Sequence, residues 1–97
     1  MEKTHLLAQL KTGLKTVGAR QTLRALQRRV ARAVFVARDA DPAVVQPIVE
    51  LARSQAVQLI YVESMQALGR ACGIEVGAST AALVEEQPTA KRQAKGG

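Results

Sequence analysis

A chain of 97 residues is long enough for one modest core and suits a single domain. Hydrophobic residues make up 47% of it and aromatic residues only 2%, so the core must be aliphatic. The net charge of +6 is uneven, because residues 1–38 hold nine Lys and Arg against one acid, whereas residues 39–97 hold five against seven. This asymmetry favours a polyanionic partner over the alternative that the charge serves solubility alone.

Composition also argues against several classes of protein. The single Cys72 cannot form an internal disulfide and has no neighbouring metal ligands. No apolar run approaches the ~18 residues needed to span a bilayer, and the N-terminus lacks the apolar core of a signal peptide. We therefore expect a soluble cytoplasmic protein without metal or cofactor.

The first predicted element is a helix with Thr4 as its N-cap and Gly13 as its natural end. Leu6, Leu7 and Leu10 lie on one face of it. A short apolar strand over residues 14–17 should follow.

The next stretch, V-G-A-R-Q-T-L-R, joins this strand to a basic helix over about residues 19–30 through Gly18. A helix N-terminus presents unpaired N–H groups and partial positive charge, which attract phosphate. Arg20, Arg24 and Arg28 recur every four residues on one face. No acid occurs between Lys3 and Arg38 to pair with them, so the face indicates an external counter-charge.

Residues 33–37 form a continuous apolar run, typical of a strand buried on both faces. Asp41 and Pro42 then predict the start of a helix over about residues 42–54. Pro47 inside it predicts either a kink or a boundary. The carboxylate of Asp41, like that of Asp39, is interpreted as a capping group rather than as part of a metal or acid–base site.

The last elements are a strand over residues 57–62, a short helix capped by Ser64 and Gly73, and a strand over residues 80–84. In the intervening loop, Ile74 and Val76 either tuck into the core or present an apolar ledge to a partner. We assign residues 1–84 to one domain and expect the basic tail, residues 85–97, to be disordered.

This alternation of helices and strands predicts the α/β class, with a three-layer α/β/α sandwich around a four-stranded mixed sheet. We expect most neighbouring strands in that sheet to be parallel.

Four segments resemble the small bacterial kink-turn-binding proteins of the YbxF type, and the spacing between them fits as well. These proteins are related to archaeal and eukaryotic ribosomal proteins that bind kink-turns. The segments are V-G-A-R-Q-T-L-R (17–24), D-A-D-P (39–42), V-E-S-M (62–65) and L-G-R-A-C-G-I-E-V-G-A (68–78).

The resemblance implies the same sandwich fold and an RNA target, a duplex with a three-nucleotide bulge beside tandem sheared G·A pairs. It also implies two contacting segments, a strand-to-helix corner and a loop, with further basic residues that meet phosphates nonspecifically. The corner comprises Gly18, Ala19, Arg20, Gln21 and Arg24, the loop comprises Ile74, Glu75, Val76 and Gly77, and the phosphate contacts are Lys15, Arg28 and Arg32. Where many relatives carry Thr, this chain has Ala19.

The residue types suit such a target. Regular A-form RNA hides its major groove from side chains, and a sharp kink opens it at the G·A pairs. Guanine then offers its O6 and N7 acceptors to Arg20 or Arg24, and Gln21 can donate to and accept from a base edge. Ile74 and Val76 would shield an extruded base.

Rival functions are weaker. An enzyme is disfavoured because the chain has no G-x-G-x-x-G or P-loop motif and no nucleophile–base pair. Nonspecific single-strand binding by stacking is disfavoured because Phe35 and Tyr61, the only aromatic residues, are both expected in the core. A protein-interaction scaffold and a nonspecific RNA binder stay open as alternatives to a monomeric kink-turn binder in a ribosomal or other ribonucleoprotein context.

Overall fold

The computed structural model describes residues 2–85, in which four helices alternate with four strands. The predicted tail lies outside the described residues from residue 86 onward. In chain order the elements are α1 (Glu2–Thr12), β1 (Lys15–Val17), α2 (Ala19–Gln27), β2 (Ala31–Ala37), α3 (Pro42–Ser54), β3 (Gln58–Val62), α4 (Met65–Cys72) and β4 (Thr80–Val84).

The strands form one mixed sheet in the order β1-β4-β2-β3, which confirms the predicted fold class. The expectation that most neighbours are parallel is wrong, because β4 pairs antiparallel with both β1 and β2 and only β2–β3 is parallel. The cause lies in the loop after α4. Its ends bond back along the helix, Ile74 N–H to Gly69 O and Ala78 N–H to Met65 O, each at 3.0 Å. The chain is thereby returned to the end of the sheet where β3 finished, and β4 must run the opposite way.

Two helical layers cover the sheet. On one face α1 and α4 bury Leu10 and Leu68 against Phe35, and on the other α2 and α3 surround Val34 and Val36. Side chains of β2 therefore alternate between two cores, and the predicted burial of this strand on both faces is correct.

Several helix ends follow from local capping, as the sequence predicts. The Asp41 carboxylate accepts a hydrogen bond from Ala43 N–H at 3.0 Å, and the Ser64 hydroxyl accepts one from Ala67 N–H at 2.9 Å. Gly73 ends α4 in the left-handed region with φ of 82°. The Asp39 carboxylate accepts a 2.8 Å bond from Met65 N–H, so both carboxylates act as caps.

Other boundaries differ from the prediction. α1 begins at Glu2, before Thr4, and α2 ends at Gln27 rather than near residue 30, because Arg29 adopts a left-handed φ of 57°. α3 continues through Pro47, which excludes a helix boundary there. Pro47 is exposed, so the carbonyl group left without its helical partner faces water.

Within residues 2–85 no helix has both the length and the apolar character needed to cross a membrane. No cluster of three or more His, Cys, Asp or Glu side chains in the same residues could hold a metal ion. Burial raises the pKa of the Cys72 thiol, and the charge of Lys15 opposes that shift. The thiol therefore stays protonated at neutral pH.

Candidate nucleic-acid interface

The corner at Gly18 and the end of the loop over residues 74–79 lie at the same end of the sheet. Strands β1, β2 and β3 all finish at this end, and β4 begins there. Gly18 N–H donates to Thr80 O at 2.8 Å, and Ala37 N–H donates to Ser79 O at 2.9 Å. The corner after β1 is therefore bonded to the first residue of β4, directly beside the loop over residues 74–79.

Gly18 shapes the corner through its backbone. Its φ of 103° and ψ of 155° lie in a region that only glycine adopts readily. A Cβ placed there would meet no atom of the described residues within 4 Å, so the requirement comes from conformation rather than from crowding. The space above Gly18 is open, and a ligand backbone can approach it closely.

The N-terminus of α2 lies next to this open space. No side chain of the described residues caps it, and the helical bonds begin with Thr22 N–H donating to Gly18 O at 3.0 Å. The preceding amide groups, with their partial positive charge, suit an anionic ligand.

The packing of α2 decides which of its side chains are available. Thr22, Ala25 and Leu26 are buried against the sheet and α3. Arg20, Gln21, Arg24 and Arg28 are consequently exposed. Arg20 and Gln21 lie in the first turn of the helix, Arg24 lies in its last turn, and Arg28 is its C-cap, about 12 Å beyond Arg20 along the axis.

Lys15 lies on the other face of the sheet from these arginines. It shares its side of β1 with Val17, which packs against the core formed with α1 and α4. Its influence on the Cys72 thiol agrees with that position. The structure therefore places Arg20 and Gln21 beside Gly18, puts Arg24 and Arg28 successively further along α2, and separates Lys15 from all of them.

The loop over residues 74–77 lies against α4 because Gly69 leaves room for it. A Cβ at Gly69 would overlap the carbonyl oxygen of Val76 and would lie 3.2 Å from Gly77 Cα. The loop is thus held by backbone contact with the helix as well as by the two hydrogen bonds at its ends.

The two apolar residues of the loop have different environments. Ile74 is half-buried against the core formed with α1 and α4, whereas Val76 is 69% exposed. Glu75 and Gly77 are exposed as well. Ile74 therefore tucks toward the core, as the first alternative predicts, whereas Val76 forms an exposed apolar ledge, and its contact with a partner stays a prediction.

Sequence reasoning missed two residues beside this ledge. Gln66 and Arg70, on α4, line a depression of about 580 Å³ together with residues 74–77. The loop folds back over the last turns of α4, and this brings the guanidinium-bearing side chain of Arg70 to the same surface as Val76. The only local signal was the glycine at position 69, which marks a close approach to the helix.

Residues 2–92 match the ribosomal protein L7Ae/L30e/S12e/Gadd45 family. A Bacillus pumilus protein named RNA-binding protein is 44% identical over 68 residues, which cover 70% of this chain and 83% of that protein. RNA-binding protein YbxF of Geobacillus stearothermophilus is 39% identical over 75 residues, covering 77% and 92%. Among solved structures, the Giardia lamblia 15.5kD RNA binding protein superposes with a TM-score of 0.78 at 28% identity, covering 98% of this chain and 84% of the other.

Proposed function

Because the chain belongs to the ribosomal protein L7Ae/L30e/S12e/Gadd45 family, we propose that it recognises kink-turns in structured RNA through the corner at Gly18 and the loop over residues 74–77. It is an RNA-binding protein of this family and not an enzyme, as the resemblance to YbxF-type proteins implies. The observation that supports the proposal is the bond from Gly18 N–H to Thr80 O, which ties the corner to the strand that follows the loop.

At the corner, the proposed contacts are base-specific. Arg20 in the first turn of α2 and Arg24 in its last turn carry guanidinium groups that can donate to O6 and N7 of the G·A guanines. Gln21 lies between them and can satisfy a base edge that both donates and accepts. Gly18 and Ala19 leave the backbone open to the sugar–phosphate chain.

The main contribution of the loop is an apolar surface for an unstacked base. Ile74 fixes its position from below, and the exposed Val76 provides an apolar surface for a base that leaves the stack. Glu75 can accept hydrogen bonds from the amino groups of that base. Gly77 has no side chain, so the base can approach the loop backbone closely. Arg70 supplies a nearby cation for the phosphate of the same nucleotide.

Lys15, Arg28 and Arg32 are proposed as outer phosphate contacts, which add affinity without reading sequence. The family assignment supports ribosomal or other ribonucleoprotein partners and a cytoplasmic location. We propose that the chain acts there as a monomer.

The function is tested by titrating the purified chain with a kink-turn RNA and with a straight duplex of equal length and composition, at one fixed salt concentration. Tight binding to the kink-turn alone is expected, because the straight duplex offers only its phosphates. Equal affinity for the two RNAs would make the chain a nonspecific RNA binder, and absence of binding to both would favour a protein scaffold.

Arg24→Ala should weaken kink-turn binding by about 1–3 kcal/mol, since it removes a base-edge donor. Arg28→Ala is the matched control. It removes the same type of side chain from the C-cap of α2, one turn further from Gly18 than Arg24, so its effect should be smaller and equal for both RNAs. Fluorescence-anisotropy titrations of the two variants provide the comparison. If Arg28→Ala were the more damaging change, the interface would lie at the other end of α2.

A further inference from the structure

A second surface of the molecule has no role in the proposed kink-turn contacts. It is a cleft of about 330 Å³ between α3 and the edge strand β3. Val36, Val45 and Val49 form its apolar floor. This volume is at the lower end of the ~300–1,000 Å³ range of ligand pockets, so the cleft suits one nucleotide-sized group.

Tyr61, the sole tyrosine of the chain, is expected in the core but is 41% exposed at the mouth of this cleft. It lies in β3, the outermost of the four strands in residues 2–85. The guanidinium carbon of Arg38 stands over its ring at 5.3 Å from the centroid. An exposed tyrosine paired with an arginine offers the stacking surface on which unpaired bases are bound.

The charged side chains that line the cleft are both cations, and the Glu50 carboxylate beside it accepts a 2.9 Å hydrogen bond from Gln46 of the lining. Arg38 lies at one end and Arg53 at the other, and Pro42 to Arg53 spans about 16 Å along α3. Both arginines are exposed, and none of the described residues that line the cleft is acidic. An anionic chain can therefore contact a cation at either end while an apolar or aromatic group occupies the middle.

The position of Tyr61 relates the cleft to the proposed kink-turn site. Gly18 bonds to Thr80, Thr80 pairs with Val36, and Val36 pairs with Tyr61. Gly18 and Tyr61 thus lie in one row at the same end of the sheet, three strand spacings or about 14 Å apart. The cleft and α2 are also on the same face of the sheet.

We infer that the α3–β3 cleft binds a single-stranded segment flanking the kink-turn, with a base stacked at Tyr61 and its phosphates at Arg38 and Arg53. This inference rests on the proposed function, because the kink-turn at the corner is what delivers the flanking strand to the cleft. The cleft extends the RNA interface along the end of the sheet.

The test compares a blunt kink-turn RNA with RNAs that carry about five unpaired nucleotides at each strand end in turn. One of these extensions should tighten binding about tenfold, a moderate value for one stacked base. The chain contains no Trp and a single Tyr, so that extended RNA should also quench tyrosine fluorescence more than the blunt RNA does.

Substitutions test whether the tighter binding of the extended RNA comes from the cleft. Tyr61→Leu should abolish the tenfold gain, Tyr61→Phe should retain it because the ring is kept, and Arg53→Gln should reduce it. Lys11→Gln is the matched charge control, as this exposed cation belongs to α1 on the opposite face, and it should retain the full gain. Because Tyr61 and Arg53 are both exposed, circular dichroism should show an intact fold in each variant.

The inference is overturned if no extension tightens binding, or if the gain survives Tyr61→Leu. It is also overturned if a glutamate-rich peptide, but no RNA extension, quenches Tyr61, since the cleft would then bind acidic protein segments. A straight duplex with the same extension separates the two proposals. If kinked and straight RNAs bind equally well but the extension still tightens binding, only the proposed kink-turn recognition fails. If kinked RNA is preferred but the extension does not tighten binding, only the proposed role of the cleft fails.

Discussion

Replacing the tandem sheared G·A pairs of a kink-turn RNA by Watson–Crick pairs should weaken its binding to this chain by about 10³-fold, the lower bound for specific over nonspecific recognition. Without those pairs the RNA reverts to a regular A-form helix, whose narrow major groove excludes side chains. Arg20 and Arg24 then lose the O6 and N7 acceptors of guanine and keep only phosphates. Electrophoretic mobility-shift titrations of the two RNAs measure the ratio directly.

Repeating the titrations at several salt concentrations separates specific from nonspecific binding. The weak residual binding to the Watson–Crick variant should depend steeply on salt, because counterion release from phosphates is its main source. A control RNA that keeps the G·A pairs but has shuffled stem sequences should bind as tightly as the original. Equal affinity for the sheared and Watson–Crick RNAs would be incompatible with recognition of the kink at the corner.

The parts of the fold that were predicted correctly are those written into local sequence. Asp41, Ser64 and Gly73 each end or begin a helix through a bond or backbone angle involving only near neighbours. The run over residues 33–37 in β2 predicted burial on both faces because it contains no polar residue. The exposure of Arg20 and Arg24 follows in the same way, since their spacing puts them on one face of α2.

The parts that were missed depend on contacts between distant residues. The direction of β4 is set by the loop that bonds back to α4, as in the bond from Ala78 N–H to Met65 O. The exposure of Tyr61 depends on β3 being the outermost strand, which the alternation of its residues does not reveal. Arg70 joins the candidate site only because the same loop lies beside it.

Gly69 in the middle of α4 is the residue whose role the helical pattern least explains. In an unconstrained helix, Gly→Ala would stabilise the fold by about 1 kcal/mol. Here an added Cβ would overlap the backbone of Val76. The helix cannot withdraw, because Leu68 and Cys72 on either side of Gly69 are buried in the core. The loop must therefore move, and it is tied to α4 by the bonds of Ile74 and Ala78.

We therefore expect Gly69→Ala to lower the free energy of unfolding by about 3 kcal/mol, at the upper end for overpacking because the contact is with backbone atoms. Displacement of the Val76 ledge should also weaken kink-turn binding about tenfold, or about 1.4 kcal/mol.

Gly73→Ala is the control. Its φ of 82° imposes strain of about 1 kcal/mol, but among the described atoms the new Cβ would touch only Lys11 Cγ at 3.6 Å, so RNA affinity should be unchanged. Urea unfolding and RNA titration of both variants are the measurements, and a Gly69→Ala protein as stable as the parent would contradict the assigned packing of loop on helix.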